Sequence, residues 1–249
     1  MKTFWICGSH SVNESIKNSK RKIHEVVCKE NSLTEQLCNK YKIKYRYYKK
    51  RDENKLLGNN AQIAHQCTFA KIDPLPTFEL KNICLAKESN LLALENITDV
   101  RNIGSIVRTA VCFNIRAIII EKKNFKSNSV EIYKSASGAL EHIDICLVSN
   151  LNQALNELKK LNYFIYGLDS NYGEEFNETN ISTYGNIFVL GAEGKGLKEL
   201  TKKNCDFYIK INIANKIGSL NVSNACSAAL AIFNYISDKK KARWNYRAF

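Results

Sequence analysis

Residues Ile187 to Phe233, IFVLGAEGKGLKELTKKNCDFYIKINIANKIGSLNVSNACSAALAIF, decide the fold. Two β-rich apolar runs, Ile187 to Leu190 and Phe207 to Ile213, are each followed by turn residues and then a helical pattern. The stretch therefore reads as strand, glycine-rich loop, short helix, strand, polar loop and long helix. Two βα units in tandem imply a parallel sheet. The loops between them carry Gly191, Glu193, Gly194, Gly196, Ser219, Asn221 and Ser223 at the carboxyl ends of the strands, where open α/β sheets bind ligands.

Working outward toward the N-terminus, the same alternation continues. Leu91 to Glu95 reads as a strand, followed by a helix from about Ile103 to Phe113 with Asp99 and Asn102 as capping candidates. Ala117 to Ile120 is apolar throughout, as expected of a parallel strand covered on both faces. A helix around Glu131 to Leu140, a strand near Ile145 to Val148, a helix Leu151 to Leu161 capped by Asn150, and a strand Tyr163 to Leu168 complete about six strands. Residues 169 to 185 read as a polar loop.

Asp73-Pro74-Leu75-Pro76 holds both prolines of the chain. Proline continues neither a helix nor a central strand, so a linker over 73–87 is expected, separating domains at 1–72 and 88–249. The front part reads as strand Phe4 to Cys7, a helix from about Ser11, strand Ile23 to Cys28, and a helix opened by the Ser32/Glu35 capping box. Next come KYKIKYRYYKKR (40–51), a short helix Asp52 to Leu57 and a strand near Ala64 to Lys71. In 40–51, Lys40, Lys42, Lys44 and Arg46 alternate with Tyr41, Ile43, Tyr45 and Tyr47. A strand there would put cations on one face and rings on the other. Such a strand is either an ordinary one with a solvated charged face or an RNA-facing one, its cations meeting phosphates and its tyrosines stacking on bases.

Net charge is +13 over 249 residues. Residues 1–87 hold 17 basic and 8 acidic residues, against 20 and 16 in the remainder, so the front third carries +9 of it. That field favours polyanions, RNA or DNA before an anionic membrane. No apolar run reaches the ~18 residues that span a bilayer, and no secretory leader is recognisable, so a cytoplasmic protein without membrane contact is expected. The nine cysteines are scattered and lack any Cys-x-x-Cys, as reduced core residues would be. GAEGKG fits neither the dinucleotide fingerprint nor the P-loop, because Gly196 stands where the Mg²⁺-binding Ser/Thr would follow Gly-Lys. His10, His24, His65 and His142 stand apart and show no zinc spacing, so no metal is expected.

Three segments, NITDVRNIGSIVRTA (96–110), VLGAEGKGL (189–197) and INIANKIGSLNVSNA (211–225), resemble in order and spacing the signature motifs of the SpoU/TrmH family of RNA ribose 2′-O-methyltransferases. SASGALEHI (135–143) also looks like a family segment, and CGSHSV (7–12) with AHQ (64–66) resembles the members that carry a small RNA-binding domain in front. Those members modify a guanosine of large-subunit ribosomal RNA. The resemblance implies an α/β fold: a C-terminal parallel-sheet domain tied in a trefoil knot, preceded by a small α/β RNA-binding domain. It further implies S-adenosylmethionine as cofactor and a homodimer. Gly191, Ile211 and Leu220 fall on its cofactor-binding positions, and Asn102, Arg108, Glu193, Ser219 and Asn221 on its polar active-site positions. Val100 and Asn212 replace prolines usual in the family, and Asn215 and Cys67 replace glycines.

Overall fold

The computed structural model describes residues 3–58, 62–83, 89–169, 182, 185–214 and 219–247. The elements of the front part are β1 (Phe4–Cys7), α1 (Ser9–Lys17), β2 (Ile23–Cys28), α2 (Leu33–Tyr41), β3 (Tyr45–Tyr47), α3 (Asp52–Leu57), β4 (Phe69–Ile72) and α4 (Leu80–Ile83). β5 (Asn90–Leu94), α5 (Val100–Cys112), β6 (Ala117–Glu121), α6 (Val130–Ala136), β7 (Asp144–Val148), α7 (Leu151–Lys160) and β8 (Tyr163–Leu168) follow. The chain continues through β9 (Gly185–Leu190), α8 (Glu199–Asn204), β10 (Phe207–Ile209) and α9 (Val222–Arg247).

Contacts divide these elements into two compact units: Met1–Pro76 with Ile103–Arg108 and Lys126–His142, and Thr77–Asn102 with Thr109–Phe125 and Ile143–Phe249. The first holds a four-stranded sheet ordered β1-β4-β2-β3, in which β4 runs antiparallel to its neighbours and β2 pairs β3 in parallel. α6 belongs to this unit through buried chemistry that the sequence did not announce. The Arg21 guanidinium meets the Glu141 carboxylate at 2.6 Å with both side chains 1% exposed. Arg21 also donates to the Asp73 carbonyl at 2.7 Å and to the Tyr133 hydroxyl at 3.3 Å. Ser15 and Asn18 complete the shell around Glu141, at 2.9 and 2.8 Å.

The Lys/Tyr segment departs from the sequence expectation. Lys40 and Tyr41 finish α2, and Lys42 takes the left-handed conformation (φ 55°) that ends it, so extended pairing is confined to Tyr45–Tyr47. The reason is local: the αL cap satisfies the last carbonyls of α2 and turns the chain before an alternating strand can form. Nor is the cation face solvated throughout. Arg46 forks onto Asp52 with two bonds of 2.9 Å and reaches Glu25 at 2.9 Å, while the hydroxyls of Tyr45 and Tyr47 donate to Glu35 at 3.2 and 2.7 Å. β4 likewise starts later than expected, because Gln66 (φ 55°) and Cys67 (φ 56°) form a left-handed turn. Cys67 thus occupies a conformation that glycine adopts more easily.

The second unit holds six parallel strands ordered β10-β8-β9-β5-β6-β7. β6 and β9 are buried at every residue, which explains the apolar runs Ala117–Ile120 and Ile187–Leu190; Glu121 and Asn186 are the polar residues buried with them. Asp99, not Asn102, caps α5, accepting from the amides of Arg101 and Asn102. Asn150 caps α7. β10 stops at Ile209, short of Ile213, and most of the 169–185 loop, with Asn215, lies outside the described residues. β5 leads outward to β6 and β7 on one side, while β9 and β8 lie on the other. The order therefore reverses between β5 and β9, and the loops after these two strands leave side by side at the carboxyl edge.

Candidate functional site

A cavity of about 430 Å³ opens at that edge. Its wall is made by Leu168 and Asp169 at the end of β8, Leu190 to Gly196 at the end of β9 and in the loop beyond it, Lys202 of α8, Ile209, Ile211 and Ile213 of the β10 segment, and Ser219, Leu220, Val222 and Ala225 at the start of α9. The loop after β9 folds back on itself: Gly196 N donates to the Ala192 carbonyl at 2.9 Å. A Cβ on Gly191 would lie 2.3 Å from the Gly196 carbonyl carbon, so the two backbones approach as only glycine permits.

Beside the cavity three polar side chains close a ring. Glu193 Oε1 accepts from Asn102 Nδ2 at 3.0 Å, from Asn221 Nδ2 at 2.6 Å and from the Val222 amide at 3.3 Å. Asn221 Nδ2 also donates to Asn102 Oδ1 at 3.1 Å. Asn221 in turn caps α9, its Oδ1 accepting from the amide and hydroxyl of Ser223 at 2.9 and 2.6 Å. Two sequence-distant segments thereby fix the carboxylate of a third through a single oxygen, and a carboxylate so held is ready to orient a polar substrate without reorganisation.

Of the residues singled out by sequence, Gly191, Glu193, Ile211, Ser219 and Leu220 line the cavity, and Asn102 and Asn221 join it through Glu193. Arg108 is on α5, exposed, with Nη1 3.5 Å from Ser137 Oγ, and is not in the cavity wall. Sequence reasoning missed Asp169 and Lys202, whose charged groups stand 3.4 Å apart in the wall. Burial works against the Lys202 ammonium, but Glu199 and Asp169 outweigh it and hold its pKa above the ordinary lysine value. It missed Glu95 and Thr201 as well. For Glu95 and Asp169 a signal existed, an acid closing the apolar runs LLAL and FIYGL; Lys202 stands in polar surroundings that carry none. Burial pushes the thiols of Cys205 and Cys226 up to about 12, which leaves neither as a nucleophile at neutral pH. Among the described residues no group of His, Cys, Asp and Glu could hold a metal ion, and no helix is long and apolar enough to cross a membrane.

A parallel sheet with a loop-built cavity at its switch point and a preorganised carboxamide–carboxylate ring defines an α/β enzyme whose ligand sits at the strand ends. The particular family follows from the sequence: the chain belongs to the SpoU rRNA Methylase family, whose sequence model matches residues 89–231, and it is an RNA methyltransferase of the SpoU/TrmH type. YacO of Bacillus subtilis (strain 168), named as a TrmH family tRNA/rRNA methyltransferase, is 31% identical over 235 residues, 89% of this chain and 91% of YacO. The fold is also that of the SpoU methyltransferase AviRb from Streptomyces viridochromogenes, solved in complex with AdoMet (TM-score 0.75, 19% identity, 92% of this chain and 88% of AviRb). An AdoMet-bound rRNA methyltransferase from Sinorhizobium meliloti matches similarly (TM-score 0.74, 16% identity, 92% and 85%).

Proposed function

We propose that the protein transfers a methyl group from S-adenosylmethionine to a ribose 2′-hydroxyl in RNA, the target being a guanosine of large-subunit ribosomal RNA. The observation that carries this reading is the Asn102–Glu193–Asn221 ring beside a cavity of about 430 Å³, a size within the ~300–1,000 Å³ range of small-molecule sites. The wall suits the cofactor chemically: Ile209, Ile211, Leu220 and Val222 offer apolar surface to an adenine and a methylene chain, and the turn at Gly191 to Gly196 offers backbone donors and acceptors. When bound, S-adenosylmethionine supplies a methyl already activated by a positive sulfonium.

What remains for the chain is to place the ribose oxygen and ease the loss of its proton. Glu193, anchored through Oε1, keeps Oε2 to accept from the nucleotide, while Asn102 and Asn221 hold the carboxylate in place. Arg108 binds a phosphate or the developing alkoxide through its planar fork; as a guanidinium with a pKa above about 12 it is a poor base. Ser219 contributes a hydroxyl at the cavity rim. The reading includes a cytoplasmic homodimer, a trefoil knot through the β9–α9 loops, residues 1–72 as an RNA-binding domain, 73–87 as linker and 88–249 as methyltransferase domain.

The decisive experiment maps 2′-O-methyl positions in total RNA from cells with and without this gene, alongside calorimetry of S-adenosylmethionine with the full chain. One position lost from large-subunit rRNA is expected. A lost tRNA position would move the substrate, and no lost position together with no cofactor binding would reduce the protein to an RNA-binding assembly factor.

A further inference from the structure

Glu95 closes β5 and is 2% exposed. An isolated carboxylate at that depth is costly to bury, so its partners define its purpose. Its amide donates to the Leu190 carbonyl at 2.8 Å, where β9 passes into the glycine turn. Its carboxylate accepts from the Lys198 amide at 2.8 Å and from the Thr201 hydroxyl at 2.5 Å, on the far side of the same turn. Thr201 is itself fully buried and accepts from Asn152 Nδ2 at 3.1 Å, which ties α8 to α7. The residue that follows the neighbouring strand thus grips both ends of the segment that supplies Gly191 to Gly196 to the cavity wall and Glu193 to the ring.

We infer that Glu95 is a positioning residue for the cofactor and the Glu193 carboxylate: it clamps the Gly191–Leu197 turn in the folded-back shape that makes the cavity. Among the described residues the turn is otherwise held at its tip, by the Gly196 amide on the Ala192 carbonyl and by Glu193 in the ring, while Glu95 holds its two ends. Gly194 (φ 75°) and Gly196 (φ 63°) are conformationally free residues, and a Cβ on Gly194 would meet nothing within 4 Å. A turn rich in glycine loses much conformational entropy on ordering, and a ligand that must order it binds more weakly than one that finds it preformed. A charged hydrogen bond at each end of α8's first turn is the kind of contact strong enough to supply that order. Glu95 does this without touching the ligand, since it is absent from the cavity wall. The inference deepens the methyltransferase reading and rests on it for the identity of the ligand.

The test uses the full chain and four variants: Glu95→Ala, Glu95→Gln, Thr201→Val and the Glu95→Ala/Thr201→Val pair. S-Adenosylmethionine affinity is measured by calorimetry, amide exchange across residues 190–204 by mass spectrometry, and Tm alongside. Glu95→Ala is expected to weaken cofactor binding by roughly tenfold or more, the loss of a charge-assisted bond, and to speed exchange at Gly196 to Lys198 while β5 and β9 stay protected. Glu95→Gln, which can still accept from Lys198, should recover part of the affinity. Thr201→Val keeps the shape of the side chain and removes its hydroxyl; it should weaken binding less, with Tm reporting any loss of stability, and the double variant should lose little beyond Glu95→Ala alone. A fall in Tm with affinity within twofold of wild type and unchanged exchange in the turn would overturn the inference, leaving Glu95 a structural acid only. Should wild type bind no S-adenosylmethionine, the function proposed above fails, and the exchange data still decide whether Glu95 clamps the turn.

Discussion

Polar side chains meet in both units of the molecule, and they meet differently. In the front unit they are used up on one another: Arg46 is spent on Asp52 and Glu25, Tyr45 and Tyr47 on Glu35, Arg21 on Glu141. At the carboxyl edge of the six-stranded sheet, Asn102, Glu193 and Asn221 are also bonded to one another, but around the rim of a cavity and through one carboxylate oxygen. A saturated cluster holds a fold together; one that fixes a group beside an open volume prepares it for a ligand. On the function proposed above the ring acts on the nucleotide and the front cluster holds the fold, and each can be broken separately.

The largest effect is expected where charge is most deeply buried. Arg21→Met strands the Glu141 carboxylate at 1% exposure and should cost the first unit about 3–5 kcal/mol, as breaking a buried pair from one side does. Arg21→Met/Glu141→Leu removes both charges and should recover most of it. Urea unfolding of the three proteins decides; a single variant no less stable than wild type would mean the pair is not the anchor its geometry suggests. The same cluster argues against cutting the chain at residue 73 or 87 to isolate an enzyme domain, since Glu141 and Tyr133 would lose Arg21 and Phe4.

In the ring the expected loss is kinetic. Glu193→Gln or Asn221→Ala should lower methyl transfer by roughly a hundredfold to a thousandfold, the range for loss of one preorganised group, with S-adenosylmethionine affinity changed only severalfold and urea unfolding near that of wild type. An equal fall in affinity and rate would show that the ring builds the cavity and does not act on the nucleotide.

The parallel sheet was legible because its strands carry near-continuous apolar runs such as Leu91–Leu94, Ala117–Ile120 and Ile187–Leu190, and the cavity because loop residues at strand ends carry glycine and polar side chains. Ser32/Glu35 and Asn150 were readable as caps since the spacing itself is the hydrogen bond. The Lys/Tyr segment misled: alternation predicts a strand only where the preceding helix has ended, and α2 runs through Tyr41. Membership of residues 126–142 in the first unit was invisible, because Arg21 and Glu141 are 120 positions apart and nothing local marks either as buried. Arg108 was placed among the site residues by motif alone; its contact with Ser137 leaves its role to experiment.

Arg108→Lys keeps the charge, removes the planar fork and offers a proton acceptor of lower pKa. If Arg108 positions phosphate or alkoxide, turnover should fall by about a hundredfold and stay low at every pH. If it is the base, the lysine enzyme should regain much of its rate as pH rises toward the ordinary lysine pKa of about 10.4. Single-turnover rates against pH separate the two, and a flat profile is expected.

The smallest effect tests the saturated side of the comparison by acid. The Arg46 guanidinium holds the Asp52 carboxyl below its usual value, and the Tyr47 hydroxyl does the same for Glu35. A carboxyl whose folded pKa is depressed contributes stability that is present above its unfolded value, near 3.9 for Asp and 4.3 for Glu, and lost as pH falls through the folded one. Stability of the front unit should therefore be level from pH 8 to about 5 and decline below about 4. Trp5 lies on β1, and Trp244 is the other tryptophan of the chain, so Trp5 fluorescence in a Trp244→Phe background follows this unit alone. In that background Asp52→Asn should cost about 1–2 kcal/mol at pH 7, since Arg46 is more than a third exposed and solvent screens the pair. It should also show a shallower acid limb, because one titrating group is gone. Identical acid limbs with and without Asp52 would mean that the Arg46–Asp52 pair contributes geometry and no measurable charge stabilisation.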